Sequence, residues 1–218
     1  MNYLSVENIS KSYGERVLFD NVSFGINKDQ KIAFIAKNGS GKTTIMNMIN
    51  GLDEPDSGQV VIRKEINMAF LSQNNNLQDE LTIEENIFAS DNEILKVIER
   101  YEKALENPND EEAYQRAFDD MDRHNAWDFE TQFKQILYKL KLEDLKMKVK
   151  NMSGGQKKRL SLAIILISKP DLLILDEPTN HLDLEMIEWL EDYFAKENIT
   201  LFMVTHDRFF LERVCNEI

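Results

Sequence analysis

The sequence predicts an α/β protein with a helical insertion near its middle. Strand and helix patterns alternate towards both ends of the chain, whereas residues 83–142 follow a helical period. A short strand at 31–36 runs directly into a glycine-rich loop and then a helix. The 218 residues are enough for one domain with a substantial core and few for two. We therefore expect a single domain.

The first part of the chain predicts antiparallel strands followed by a strand, loop and helix. Its predicted elements are strands 3–9, 17–26 and 31–36, a helix at 44–49, and strands 59–63 and 66–71. The first two strands alternate apolar and polar side chains and are separated by a turn at Tyr13 and Gly14, which is typical of antiparallel pairing. Proline and glycine at 55–58 mark the turn before the fourth strand.

The insertion predicts three helices whose aromatic stripes are interpreted as core. Apolar residues recur at helical spacing in the segments 94–105, 114–121 and 129–140. A further helix at 153–168 ends before Lys169 and Pro170, because the residue before proline avoids helical backbone. A buried strand at 172–175, a helix at 185–194 and a strand at 200–204 complete the alternation.

Composition limits the classes of protein that fit. The single cysteine, Cys215, excludes a disulfide framework and a cysteine zinc site, and it suggests a reducing compartment. The longest apolar stretch, 160–167, is far below the roughly 18 residues of a membrane span. Residues after Met1 show no export signal. We therefore expect a cytoplasmic protein without a membrane span.

The net charge of −13 argues against a nucleic-acid partner when taken alone. The charge is uneven, however, because residues 131–160 carry 9 Lys and Arg against 2 Asp and Glu. Such a basic stretch is either a solvated helix face or a contact surface. Both interpretations stay open, so the overall charge does not exclude a nucleic-acid partner.

Residues 36–44, AKNGSGKTT, form a phosphate-loop pattern. Glycines let backbone N–H groups turn towards phosphate oxygens, and the following helix presents its positive end to the same anion. Lys42 is expected to reach the β- and γ-phosphates, and Thr43 to coordinate Mg²⁺. Ala36 replaces the usual first glycine, so we expect a β-like backbone there. The predicted nucleotide-binding residues of this loop are Lys37, Asn38, Gly39, Ser40, Gly41, Lys42, Thr43 and Thr44.

Residues 172–177, LLILDE, supply the second half of an ATP site. A buried strand places Asp176 at its carboxyl end, where it can bind Mg²⁺ through water. Glu177 is next along the chain and is predicted to polarise the attacking water.

The segment MSGGQ at 152–156 predicts a helix start with a capping box, in which Ser153 and Gln156 exchange hydrogen bonds. Its glycines, Gly154 and Gly155, leave the helix end open to an anion. Together with the two ATP motifs, this segment resembles the ATP-binding cassette (ABC) family, in which it is the signature that contacts ATP bound to the opposite cassette. The resemblance covers nearly the whole chain. It implies a P-loop NTPase fold with a RecA-like core, an N-terminal antiparallel β-subdomain and a helical subdomain.

The resemblance also implies roles by position. Tyr13 matches the aromatic residue that stacks on adenine, and Gln73 in FLSQ matches the glutamine that contacts Mg²⁺ and the reacting water. Asp183 in NHLD matches the loop that crosses to the partner cassette, and His206 in VTHD matches the sensor of the γ-phosphate. The implied catalytic residues are Glu177, His206 and Gln73, and the implied metal ligands are Thr43, Gln73 and Asp176. His124 and His181 are interpreted as structural.

The exact residues of two motifs resemble those of one class of the ABC family. EPTNHLD at 177–183 and THDRFFL at 205–211 resemble ABC-F proteins, which carry two cassettes without a membrane domain and several of which act on the ribosome. HNAWDFETQ at 124–132 most resembles the first cassette of the Uup-like branch. The chain is therefore identified as one cassette, with a linker and second cassette expected beyond Ile218. Within it we expect a catalytic core with its β-subdomain at about 1–83 and 157–218, and a helical subdomain at about 84–156.

The resemblance implies that one cassette holds only half of each ATP site, because the signature of a second cassette completes it. We expect weak Mg-ATP binding and slow turnover from one cassette, and the oligomeric state stays open, as does whether the site hydrolyses or only holds ATP. The alternative is the ATP-binding subunit of a membrane transporter, which would share every catalytic residue. A DNA-repair or structural ATPase is disfavoured because no coiled-coil heptads interrupt the chain.

Overall fold

The computed structural model describes residues 1–37, 39–71, 77–89, 92–107 and 110–217. Within them the chain forms strands β1 (Asn2–Tyr13), β2 (Arg16–Asn27) and β3 (Lys31–Ala33), helix α1 (Lys42–Ile49), strands β4 (Ser57–Ile62) and β5 (Met68–Leu71), helices α2 (Ile83–Phe88), α3 (Glu93–Glu106), α4 (Glu111–Arg123) and α5 (Ala126–Lys139), a 3₁₀ turn (Val149–Asn151), helix α6 (Gly154–Ser168), strand β6 (Leu172–Asp176), helix α7 (Leu184–Lys196), strand β7 (Thr200–Val204) and helix α8 (Arg208–Val214).

The contacts divide the chain into two units, Met1–Asn74 with Pro170–Ile218, and Asn75–Lys169. The sequence placed the boundaries at about 84 and 156 instead. The main difference is α6, which falls in the second unit because it packs against α5.

The first unit contains two sheets, as the predicted fold requires. An antiparallel sheet has the order β2-β1-β4, and a parallel sheet has the order β3-β7-β6-β5. All five residues of β6 and of β7 are buried, because these two strands are the central ones. Their carboxyl ends therefore meet at one edge of the sheet, where α/β proteins bind ligands.

The two sheets of the first unit share one hydrophobic core. Leu4 and Ile26 from the antiparallel sheet, Met46 from α1, and Ile174 and Phe202 from the parallel sheet belong to it, and each is at most 1% exposed. The α/β fold class with an antiparallel sheet, a parallel sheet and helices is thus confirmed. Strand β3 ends at Ala33 and is shorter than predicted.

The second unit is helical, and aromatic residues of α3, α4 and α5 pack against one another. Tyr101 of α3 meets the ring of Trp127 of α5 edge-on at 5.0 Å between centroids, and Phe118 of α4 lies 5.2 Å from the same ring. These three rings are half-buried and pack the helices against one another, whereas Phe129 and Phe133 of α5 are buried, so the core interpretation holds for only part of the aromatic stripes.

The lysines at 146–157 in the basic stretch are engaged inside this helical unit. Four of them form ion pairs with acidic side chains: Lys146 with Glu84 and Glu106, Lys148 and Lys150 with Glu80, and Lys157 with Asp79. This pairing supports a solvated, internally neutralised face for these four residues. Every helix in the ranges described above is too short or too polar to cross a bilayer.

Candidate nucleotide-binding site

The phosphate loop has the backbone that its glycines predict. Gly39 has φ +74° and Gly41 has φ +94°, values that side chains rarely tolerate. A Cβ at Gly41 would also lie only 2.8 Å from the ring of Phe19, so a side chain there would clash with that ring. Ala36 is not among the residues with positive φ, as its replacement of glycine predicted.

Lys42 and Ser40 close the loop on itself. The Lys42 ammonium donates to the carbonyl oxygens of Ala36 at 2.7 Å and Lys37 at 3.3 Å, and the Ser40 hydroxyl donates to Lys37 at 2.7 Å. Helix α1 begins directly after Gly41 with no side-chain cap. The first amides of the helix are therefore directed at a space that an anion can fill.

That space is a cavity of about 690 Å³ at the carboxyl ends of β6 and β7. Its lining brings together residues from four separate stretches of the sequence, within 13–18, 39–44, 176–180 and 204–206. They are Tyr13, Arg16, Leu18, Gly39, Gly41, Lys42, Thr43, Thr44, Asp176, Glu177, Asn180, Val204 and His206. The predicted phosphate loop, acidic pair, aromatic residue and histidine thus lie around one cavity.

Glu177 turns out of β6 with a left-handed backbone, φ +52°, and its N–H bonds to the carbonyl of Val204 at 2.8 Å. Asp176 is buried at 4% exposure, and the Glu177 side chain is 13% exposed. Such a strained backbone in a non-glycine residue is typical of functional sites.

The Glu177 carboxylate is held by the segment that follows β7. Thr205 donates its hydroxyl hydrogen to Oε2 at 3.1 Å, and the backbone N–H of His206 donates to the same oxygen at 3.3 Å. The His206 Nε2 atom lies 3.5 Å from Oε1. The glutamate and the histidine are therefore neighbours at the cavity, as the motifs require.

The described residues fit a magnesium ion held mainly through water and phosphate. Thr43 and Asp176 line the same cavity, whereas no group of three or more His, Cys, Asp and Glu in the described ranges could hold a metal alone. Mg²⁺ usually keeps waters and takes one or two protein oxygens. The predicted ligand Gln73 and the predicted loop residue Asn38 lie outside the described residues.

Tyr13 stands at the end of β1 beside the cavity, and 56% of it is exposed. Its hydroxyl donates to Asp53 Oδ2 at 3.1 Å, and the Lys11 ammonium lies over its ring at 5.7 Å from the centroid. An exposed aromatic ring with a fixed hydroxyl presents a flat surface to a ligand.

The MSGGQ segment lies in the second unit and caps a helix as predicted. Ser153 Oγ accepts from the N–H of Gln156 at 3.2 Å, and Gln156 Oε1 accepts from the N–H of Ser153 at 2.8 Å. Gly154 and Gly155 form the first turn of α6. In the first unit, Asp183 caps α7 by accepting from Met186 at 3.0 Å.

Three polar residues of the site were not predicted as site residues from the sequence. Arg16 lines the cavity and donates to the Gly39 carbonyl at 3.2 Å, Asn180 lines the cavity, and Thr205 bonds to Glu177. The signal for Arg16 was its place opposite Tyr13 in the β1–β2 hairpin. The signal for the hydrogen bond from Thr205 to Glu177 was the position of Thr205 directly before His206. Asn180 lies within the quoted motif EPTNHLD at 177–183, which was the signal for it.

Comparisons with known proteins support membership of the ABC family, which these motifs resemble. Residues 19–180 match the family described as ABC transporter. The chain is 42% identical over 225 residues to the uncharacterized ABC transporter ATP-binding protein YfmR of Bacillus subtilis (strain 168). The matched region covers 100% of this chain and 36% of that protein. It is 33% identical over 220 residues to the energy-dependent translational throttle protein EttA of Mycobacterium tuberculosis (strain CDC 1551 / Oshkosh). That match covers 98% of this chain and 39% of that protein.

Two further similarities concern a plant protein and a solved structure. The chain is 38% identical over 227 residues to ABC transporter F family member 2 of Arabidopsis thaliana, with 98% of the chain and 34% of that protein covered. A solved structure of the ATP-binding subunit of an ABC transporter superimposes with a TM-score of 0.72 at 23% identity, over 98% of this chain and 83% of that one, which shows the fold alone. The chain spans between 34% and 39% of the length of these three curated relatives.

Proposed function

The chain belongs to the ABC transporter family as an ATP-binding domain, and from this premise we propose that it binds Mg-ATP and hydrolyses it to ADP and phosphate. One observation carries the proposal. A single cavity is lined by the phosphate loop, the start of α1, the acidic pair after β6 and the histidine after β7. Phosphoryl transfer to water requires these groups, since its catalysis rests on positioning and on stabilising charge.

Each group has a role that its position suits. Backbone N–H groups of the loop and of α1 hold the phosphates, and Lys42 moves from the loop carbonyls to the β- and γ-phosphates. Glu177 accepts a proton from the attacking water, and His206 contacts the γ-phosphate. Tyr13 receives the adenine ring by stacking. Arg16 adds a second cation at the cavity, where it favours the negative charge of the nucleotide.

Magnesium would be held by Thr43 and Asp176, with Gln73 as the third predicted ligand. The ion, when bound, neutralises charge on the β- and γ-phosphate oxygens. Asp176 is buried at the end of β6, and we propose that it acts on the ion through water.

The signature residues serve a different nucleotide from the one bound at Lys42. In this proposal Ser153, Gly154, Gly155 and Gln156 contact ATP held by a second cassette arranged head to tail, and Asp183 lies in the loop that reaches that partner. The helix start at Gly154 supports this role, because its N–H groups are an anion site in their own right. Hydrolysis by one cassette alone is accordingly slow.

We further propose that the domain comes from a cytoplasmic ABC-F protein that acts on the ribosome, and that it is the first cassette of a Uup-like pair. Two relatives support the class by name, a translational throttle protein and an F family member. The motif sequences at 177–183 and 205–211 support the ABC-F class independently. The alternative is the ATP-binding subunit of a membrane transporter, whose fold is the same.

Sedimentation of the natural protein carrying this cassette separates the two classes. The Glu177→Gln variant keeps the loop and removes the base, so it is expected to trap ATP and to pellet with ribosomes only when ATP is present. Lys42→Ala in the same protein is the control, because it weakens nucleotide binding and should not pellet. Partition of the trapped variant into membranes instead would support the transporter subunit.

A further inference from the structure

Tyr13 is held by a pair of side chains that no motif predicted. Asp53 lies in the loop between α1 and β4, 40 positions along the chain from Tyr13, and its Oδ2 accepts the tyrosine hydroxyl at 3.1 Å. Its other oxygen accepts from the Lys11 ammonium at 2.8 Å. One carboxylate thus joins the last residues of β1 to this loop.

The Lys11–Asp53 pair is itself firmly fixed. Lys11 Nζ also donates to the carbonyl of Glu54 at 2.5 Å and lies 3.8 Å from Asp56. The side chains of Lys11 and Asp53 are only 11% and 26% exposed, so the pair is better shielded than most surface ion pairs. The hydrogen bond from Lys11 lowers the pKa of Asp53 below its usual range.

An exposed tyrosine at the end of a strand otherwise samples several rotamers. Fixing its hydroxyl leaves the ring in one orientation, with Lys11 over the ring and more than half of the residue exposed. Ordering one such side chain on binding costs roughly 0.5–1.5 kcal/mol, and a ring fixed beforehand avoids that cost.

We propose that Lys11 and Asp53 hold the Tyr13 ring in position to receive the base of the nucleotide, which makes Asp53 a positioning residue for ATP binding. The inference rests on the proposed role of Tyr13 in stacking on adenine. It concerns the base end of the nucleotide alone, because Asp53 and Lys11 do not line the cavity around the phosphates.

The test compares two probes, Mg-ATP and magnesium with inorganic tripolyphosphate, by calorimetry on the chain. In Asp53→Ala, affinity for Mg-ATP is expected to fall about two- to tenfold, from the ordering cost of one side chain. Affinity for tripolyphosphate should not change, because it has no base. Equal weakening of both probes would overturn the proposal, since it would mean damage to α1 and the phosphate loop, and so would unchanged affinity for ATP.

Two further variants exclude general effects. Glu54→Ala removes a neighbouring carboxylate that takes no part in these bonds, and it should bind both probes as the original chain does. Tyr13→Phe keeps the ring and loses only the hydroxyl, so it should weaken ATP binding as Asp53→Ala does.

The double variant Tyr13→Phe/Asp53→Ala should be no weaker than either single one. Fully additive losses would show that Asp53 acts by another route and would overturn the proposal. Unchanged ATP affinity in Lys42→Ala would instead reject the nucleotide site itself, which keeps the two failures distinguishable.

Discussion

The hydroxyl of Thr205 donates a hydrogen bond to Glu177 Oε2 over 3.1 Å. The same Thr205 oxygen accepts the N–H of Asp207 at 3.2 Å, the residue that caps α8. Thr205 is buried at 7% exposure, so its hydroxyl is part of a fixed arrangement. The glutamate expected to activate water is therefore oriented by a neighbour that never lines the cavity in its own right.

Replacing Thr205 by valine should lower hydrolysis more than binding. Valine keeps the shape and removes the donor, which leaves the carboxylate without one of its hydrogen bonds. Hydrogen bonds to charged groups contribute about 1.5–3 kcal/mol, so kcat of the cassette paired with its partner is expected to fall about tenfold or more. Affinity for Mg-ATP should be nearly unchanged, and Thr205→Ser should restore turnover. If the serine variant is as slow as the valine variant, the hydroxyl is not the cause.

Glycine at position 41 should be indispensable for nucleotide binding. Alanine there would need φ near +94° and would place its methyl group 2.8 Å from the Phe19 ring. We expect a loss of about 1–3 kcal/mol in the free energy of unfolding and no measurable ATP binding. Gly154→Ala is the matched control, because Gly154 has open space around its Cβ position. Chemical denaturation measures the free energy of unfolding of both variants, and calorimetry measures their affinity for ATP. Normal ATP binding by Gly41→Ala would contradict the prediction.

The capping box at Ser153 makes a separate prediction about stability. Ser153→Ala removes the acceptor for the N–H of Gln156, so the chain should lose about 1 kcal/mol of unfolding free energy. Ser161→Ala lies in the middle of the same helix and should change stability by less than about 0.5 kcal/mol. Because the signature serves the nucleotide of another cassette in our proposal, Ser153→Ala should leave ATP binding by the single cassette unaltered. Weakened binding would place Ser153 at its own nucleotide.

The single thiol should be nearly inert in the folded chain. Burial raises the pKa of Cys215 to about 11. At pH 8 the folded thiolate fraction is then about a hundredfold lower than in an unfolded chain, and disulfide reagents should react correspondingly slowly. The unfolded state releases its proton first as pH rises from about 9 to about 11, so this thiol's contribution to stability falls across that range. Equal labelling rates with and without denaturant would contradict the burial.

Local patterns predicted the elements whose apolar residues form a continuous run or recur at a regular spacing. Strands β6 and β7 were visible as short, mainly apolar runs because both are buried along their whole length. Helix α8 was missed, since it has only 7 residues and follows directly on the histidine motif. Its signals were Asp207 as a cap and buried Phe210, Leu211 and Val214 at helical spacing.

The candidate site was predictable where a motif lies within one loop, and unpredictable where two segments meet. Gly39 and Gly41 are recognisable because their backbone conformation demands glycine. The hydrogen bonds from Tyr13 to Asp53 and from Thr205 to Glu177 join residues 40 and 28 positions apart, and only the folded chain brings them together. Alanine at position 36 was correctly expected to avoid positive φ, because that rule is local.

In our proposal this cassette holds half of an ATP site that a second cassette completes. The most direct measurement is the rate of ATP hydrolysis per cassette across a series of protein concentrations, with the oligomeric state followed by light scattering. We predict that the rate per cassette rises with concentration as head-to-tail pairs form, and that Glu177→Gln abolishes it. A constant, substantial rate per cassette from a sample that remains monomeric would contradict the claim.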